Sequence, residues 1–151
     1  PLASEKGFHK VNRYIRLGIE EGAKMICGEI PDDYENGYYV QPVIFTDVTN
    51  DMVIAQEEIF GPVMGIIYYD TEEEALEIAN DSIYGLAGAV FGDEKEALEF
   101  AEKIQAGTVL VNGGAFTIDV PFGGYKQSGI VRENGKCGFD EFMEVKSIRI
   151  G

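Results

Sequence analysis

Apolar residues at Phe8, Val11, Ile15 and Ile19 recur at helical spacing behind Ser4, a good N-cap, and predict a helix over residues 5–21 with Gly22 just past its end. His9 lies beside that stripe and reads as a solvent-facing helix residue, not a ligand. Residues 23–27 read as a short strand. Asp32-Asp33-Tyr34-Glu35-Asn36-Gly37 is a polar turn, and residues 38–48 return to extended structure with Pro42 marking an edge or bend. Asn50-Asp51 is a further turn.

From there the pattern becomes regular. Val63-Met64-Gly65-Ile66-Ile67-Tyr68-Tyr69 is a near-continuous apolar run, as in a strand buried on both faces. Thr71 and Glu74 form a capping box, with Ala75, Leu76, Ile78 and Ala79 as the helix stripe behind it. Tyr84-Gly85 closes that helix, and residues 86–91 form a second apolar strand. Asp93 and Glu96 repeat the capping arrangement ahead of Ala97, Leu98, Phe100, Ala101 and Ile104. After Gly107 comes a third strand, residues 108–111. The order predicts an α/β fold: an open, mostly parallel sheet around a βαβαβ core with right-handed crossovers. A short helix near residues 135–141 and an alternating strand over residues 144–150 finish the chain, the latter with the pattern of an edge or inter-subunit strand.

Length and composition add bounds. A chain of 151 residues with 45% hydrophobic and 26% charged residues suits one globular domain. Opening on Pro1, with neither a signal peptide nor an apolar run approaching the roughly 20 residues of a membrane span, it reads as a piece of something longer that does not enter a bilayer. The net charge is −15, and residues 41–100 hold 14 Asp and Glu against one base, Lys95. Such a field argues against nucleic acid and anionic membranes as partners. Solvated acidic helices explain it more readily than a docking surface does. Cys27 and Cys137 belong to no Cys-x-x-Cys pair and there is one histidine, so no metal site is indicated. Two isolated thiols suit a reducing, cytoplasmic setting.

Two stretches carry candidate chemistry. In Glu57-Glu58-Ile59-Phe60-Gly61-Pro62-Val63, a carboxylate able to accept both hydroxyls of a ribose stands two residues from a ring able to lie against a flat heterocycle. Alone, it reads more readily as a solvated acidic turn with one core Phe. The second is Pro121-Phe122-Gly123-Gly124-Tyr125-Lys126-Gln127-Ser128-Gly129, a glycine-rich loop beyond a strand's carboxyl end, where open α/β sheets bind ligands. Its spacing fits neither a P-loop nor a Gly-x-Gly-x-x-Gly fingerprint.

With these two stretches stand Gly37-Tyr38-Tyr39-Val40-Gln41-Pro42, Ile78-Ala79-Asn80-Asp81-Ser82-Ile83-Tyr84-Gly85-Leu86-Ala87, Ala106-Gly107-Thr108-Val109 and Glu144-Val145-Lys146. In that order, the chain resembles the C-terminal part of the NAD(P)-dependent aldehyde dehydrogenases. The resemblance implies residues 1–141 as part of a catalytic domain and residues 142–151 as an oligomerisation strand joining a homodimer or tetramer. It implies NAD or NADP as cofactor and an aldehyde as substrate. It assigns Glu58 to the nicotinamide-ribose hydroxyls, Phe60 to the ring beside them and Phe122 to a wall of the aldehyde tunnel. Glu133 matches a carboxylate near the active site that relays protons, although a helix-start carboxylate fits it equally. Tyr125 and Lys126 serve to fold the loop.

Arg132 and Glu144 would pair, by the same resemblance. Val131 departs from the family's usual glycine, and its β-branch restricts φ just before Glu133. The nucleophilic cysteine needs a loop of small residues with amide donors, a setting that neither Cys27 nor Cys137 has, so it is expected upstream of Pro1. The loop of residues 113–120 identifies no particular aldehyde. A free-standing, non-catalytic α/β assembly domain is the competing reading. A small nucleotide-binding module using Glu58 and Phe60 alone is a third.

Overall fold

The computed structural model describes residues 1–31 and 37–151, so the polar turn expected at residues 32–37 lies almost wholly outside the described residues. The chain divides into two compact units, Pro1–Glu74 and Ala75–Gly151.

In the first unit, helix α1 (Glu5–Glu20) starts where Ser4 Oγ accepts a hydrogen bond from Gly7 N at 3.1 Å. Its buried face is Phe8, Val11, Tyr14, Ile15 and Gly18. Ile19, expected on that face, is 41% exposed. The contact line runs through Gly18 instead, where the ring of Phe45 and the side chain of Ile54 occupy the space a side chain would need.

Strand β1 (Lys24–Cys27) pairs antiparallel with β2 (Val43–Thr46), and β2 pairs parallel with β3 (Val63–Gly65). A short helix, α2 (Val53–Gln56), lies between β2 and β3 where the sequence suggested only a turn. Its cap comes from far along the chain: the Glu21 carboxylate accepts from Val53 N at 3.0 Å. No local pattern announces such a cap. Val11, Ile15, Val43, Phe45, Val48 and Ile54 form a contiguous core with Tyr14.

The run at residues 63–69 departs from expectation. Only Val63–Gly65 is strand, and Met64, Tyr68 and Tyr69 are 59%, 67% and 60% exposed. Apolarity marks a segment suited to burial on both faces, but a second face needs a covering layer, and periodicity does not supply one.

In the second unit, β4 (Ala87–Val90) and β5 (Thr108–Val111) pair in parallel around helix α4 (Glu94–Ala101), which packs on both. Asp93 caps α4 by accepting from Lys95 N and Glu96 N. The open α/β class therefore holds, although β3 is engaged by β2 and the expected continuous run is here one βαβ unit. Helix α3 (Glu72–Asn80) has the foreseen cap, Thr71 Oγ1 accepting from Glu74 N at 3.2 Å, yet none of its residues is fully buried. On α4 only Ala97 is, and Leu98 is 49% exposed.

The glycine-rich loop folds back on residues 80–85. Tyr125 N donates to Gly85 O, Gln127 N to Ile83 O, and Lys126 Nζ to Asn80 O at 2.6 Å. The loop approaches so closely that a Cβ on Gly107 would lie 1.5 Å from Gly123 O.

Helix α5 (Gly135–Asp140) follows, and residues 144–150, expected as a strand, have no regular structure and are exposed. A strand needs a neighbouring backbone to pair with, and among the described residues none pairs with this segment. Among the described residues no helix is long and apolar enough to cross a membrane.

Candidate functional site

Glu58 and Phe60 lie in the connection between α2 and β3. Its near end is held by Glu57 N donating to Val53 O at 2.9 Å, and its far end by Val63 N donating to Gly61 O and Val43 N to Pro62 O, both at 2.8 Å. Between these anchors Phe60 has φ of +56°, in the left-handed region that a residue with a Cβ rarely takes. Such a conformation costs on the order of 1–3 kcal/mol and persists only where the surroundings impose it.

The consequence is visible at the surface. Phe60 is not a core residue: its ring is 73% exposed. Two adjacent glutamates have opposite fates. Glu57 accepts a hydrogen bond from the Tyr14 phenol at 2.5 Å, whereas the Glu58 carboxylate is exposed and has no protein partner among the described residues. An open carboxylate beside an open ring suits the hydroxyls of a ribose and the flat face of its base.

Helix α1 adds two residues that sequence reasoning missed. Lys10 Nζ donates to the Glu58 carbonyl at 2.6 Å and stands 5.0 Å from the centroid of the Phe60 ring, a cation–π contact. Tyr14 is almost wholly buried, and its hydroxyl emerges at Glu57. The hydrogen bond to Glu57, reinforced by burial, raises the Tyr14 phenol above its ordinary value. The one available signal was a tyrosine on the apolar face of α1, three residues after Val11.

In the second unit the structure brings together two of the predicted residues. Phe122 and Glu133 face each other across an antiparallel bridge, Phe122 N donating to Glu133 O at 2.8 Å and Glu133 N to Phe122 O at 2.7 Å. The ring of Phe122 meets Phe116 edge to face, centroids 5.8 Å apart. Phe116 belongs to the loop of residues 113–120, whose sequence pointed to no particular aldehyde.

Glu133 sits just before Asn134, the cap residue of α5, and its exposed carboxylate makes no hydrogen bond to the helix amides. Val131 has no positive φ, so its β-branch fits without strain. The ion pair expected between Arg132 and Glu144 is not formed. Arg132 instead donates to Gly124 O at 3.0 Å and Val131 O at 2.9 Å, with its guanidinium over the Tyr125 ring. Carbonyls and a ring close in sequence hold it, while Glu144 lies on an exposed tail. Cys27 and Cys137 are free and exposed.

An open α/β fold that offers a carboxylate and an aromatic ring ahead of a strand is an arrangement suited to a nucleotide cofactor. A sequence profile of the aldehyde dehydrogenase family matches residues 1–148, and the chain belongs to that family. It is 54% identical over 151 residues to a Staphylococcus aureus (strain USA300) protein assigned to the aldehyde dehydrogenases, covering 98% of this chain and 32% of that one. Among solved structures it resembles a Mycobacterium tuberculosis aldehyde dehydrogenase complexed with NAD+, with a TM-score of 0.89 and 53% identity over 94% of this chain and 30% of the other. It also resembles a Cys→Ala variant of aldehyde dehydrogenase C from Pseudomonas syringae complexed with NAD+ and octanal, with a TM-score of 0.93 and 46% identity over 98% and 31%. The chain thus spans about a third of the length of the curated relatives it matches.

Proposed function

We propose that this chain is the C-terminal part of an aldehyde dehydrogenase subunit, in which it holds the nicotinamide end of NAD(P)+ and one wall of the substrate tunnel. The observation that carries this reading is the Glu58 carboxylate, exposed and without a partner among the described residues, two residues before the exposed Phe60 ring, in a chain of this family. Glu58 accepts the two ribose hydroxyls and Phe60 lies against the nicotinamide. When bound, the cofactor supplies the acceptor for the hydride that the aldehyde carbon gives up on its way to a carboxylic acid.

Phe122, with Phe116 against it, presents an apolar surface suited to an uncharged aldehyde. Glu133 is open to solvent and bridged to Phe122 through the backbone, which supports a role passing protons between water and the site. The nucleophile belongs to the part of the subunit outside this chain, where a thiohemiacetal forms. Cys27 ends strand β1 and Cys137 lies in helix α5, and neither stands in a loop of small residues, so residues 1–151 alone oxidise no aldehyde. Residues 142–151 are the strand that joins subunits: Val145 is 96% and Ile150 94% exposed, and their backbone has no partner among the described residues. Two free thiols suit a cytoplasmic setting.

The decisive experiment is Glu58→Gln in the complete subunit, which keeps the shape and removes the charge. Hydrogen bonds to charged groups contribute roughly 1.5–3 kcal/mol against about 1 kcal/mol for neutral ones. The hydride step is expected to slow by about tenfold with folding unchanged. A wild-type rate and cofactor affinity would reduce the stretch to a turn.

A further inference from the structure

The reading of Glu58 and Phe60 leaves open how an exposed turn is kept in the shape it needs. From the geometry we propose that Tyr14 is a positioning residue for the cofactor-facing turn, acting through Glu57. The inference rests on the function proposed above for Glu58 and Phe60, and it concerns residues that the sequence assigned no role.

Three contacts converge on the turn from one face of α1. The Tyr14 hydroxyl donates to the Glu57 carboxylate at the turn's first residue. The Lys10 ammonium donates to the carbonyl of Glu58 and caps the Phe60 ring. The backbone of Gly61 lies so close to Val11 that a Cβ there would be 2.5 Å from Val11 Cγ2. The turn is therefore gripped at its start, its middle and its end by residues of a single helix.

Tyr14 differs from the other two in how it is held. Lys10 is a long, flexible side chain, whereas the Tyr14 ring is anchored in the core with 3% of its surface exposed. A hydroxyl fixed in this way transmits the rigidity of the core to a surface carboxylate. It also separates the two glutamates: with Glu57 tied down, Glu58 is the carboxylate left to meet a ligand. Phe60 keeps its left-handed backbone only while both ends of the turn are fixed. Loosening Glu57 lets the turn relax, which moves the Glu58 carboxylate and the Phe60 ring together.

The test uses the complete subunit with Tyr14→Phe, which removes only the hydroxyl, and with Glu57→Leu and Glu57→Gln. The Gln variant retains an oxygen that accepts from the phenol. Amide hydrogen exchange at Glu57 and Val63, whose N–H groups are hydrogen-bonded at either end of the turn, is expected to quicken by about three- to tenfold in Tyr14→Phe and Glu57→Leu, the range one hydrogen bond accounts for. It should return near wild type in Glu57→Gln, while the Phe45 amide in β2 stays unchanged throughout. The hydride step should slow by a similar factor with KM for the aldehyde unaltered.

Wild-type exchange at both ends of the turn in Tyr14→Phe and Glu57→Leu would overturn the proposal. So would a loosened turn with an unchanged hydride step in a protein whose rate does respond to Glu58→Gln. If neither Glu58→Gln nor Tyr14→Phe alters that step, it is the assignment of Glu58 that fails, and quickened exchange still establishes the hold of Tyr14 on the turn.

Discussion

The two units of this chain are built on the same kind of pattern and end in different states. In Pro1–Glu74 the apolar stripe of α1 closes on β2, and Val11, Ile15 and Phe45 have no exposed surface. In Ala75–Gly151 the stripes of α3 and α4 are as regular, yet Ala97 is the one buried hydrophobic residue among the described residues, and Phe91 is 75% exposed. A stripe records which side of an element is meant to be covered, but not by what. The first unit carries its own cover. The second leaves most of its stripe exposed, and the curated relatives it matches are about three times as long.

The sharpest way to break this comparison is to truncate matched side chains in the 151-residue chain. Phe45→Ala should cost about 3–5 kcal/mol, as large-to-small changes in a closed core do. Leu98→Ala, on a half-open stripe, should cost less than about 1 kcal/mol. Urea unfolding followed by circular dichroism reads both, and equal losses would show that the second unit closes a core as well.

Gly61→Ala probes the close approach within the first unit. Its methyl group meets Val11, which the core holds in place, so a loss of about 1–3 kcal/mol is expected from overpacking. Suppression by Val11→Ala would locate the cause, and an unchanged midpoint in Gly61→Ala would remove it.

In the second unit, Arg132 is held by Gly124 O and Val131 O, so Arg132→Ala should lower the melting temperature measurably, by about 1 kcal/mol in stability. Glu144→Lys on the open tail should leave it within about 0.5 kcal/mol. Removing residues 142–151 should change the sedimentation of the complete subunit and not the stability of the chain. A melting temperature that responds to Glu144→Lys would restore the ion pair that the structure does not form.

The smallest expected effect is at alkaline pH. Because the folded Tyr14 phenol is raised above its ordinary value, the stability its proton contributes is fully present below about pH 10 and is lost as pH climbs through the higher folded value. Thermal melts of wild type and Tyr14→Phe across that window should converge as pH rises. Parallel curves would mean that the Tyr14–Glu57 bond adds nothing to stability.

Much of the architecture was legible because it is local. Ser4 and Asp93 cap their helices as their spacing foretold, since a cap is made by residues three positions apart, and β5 lies at residues 108–111 where the apolar run places it. What lay outside that reach depends on groups far apart in the chain. The cap of α2 comes from Glu21, and Lys126 reaches back to Asn80.

The candidate site divides along the same line. Residue types raised Glu58 and Phe60 as candidates, a carboxylate two residues from a ring, and the family resemblance assigned them with Phe122 and Glu133. That Glu57 is bonded and Glu58 is free, that Phe60 is turned outward, and that Phe116 joins Phe122 depended on tertiary packing. Sequence pattern fixes which side of a helix or strand is apolar, since that follows from covalent spacing. Which of two identical carboxylates keeps its valence for a ligand is decided by whichever side chain the fold brings within hydrogen-bonding distance, and only the folded chain brings Tyr14 to Glu57.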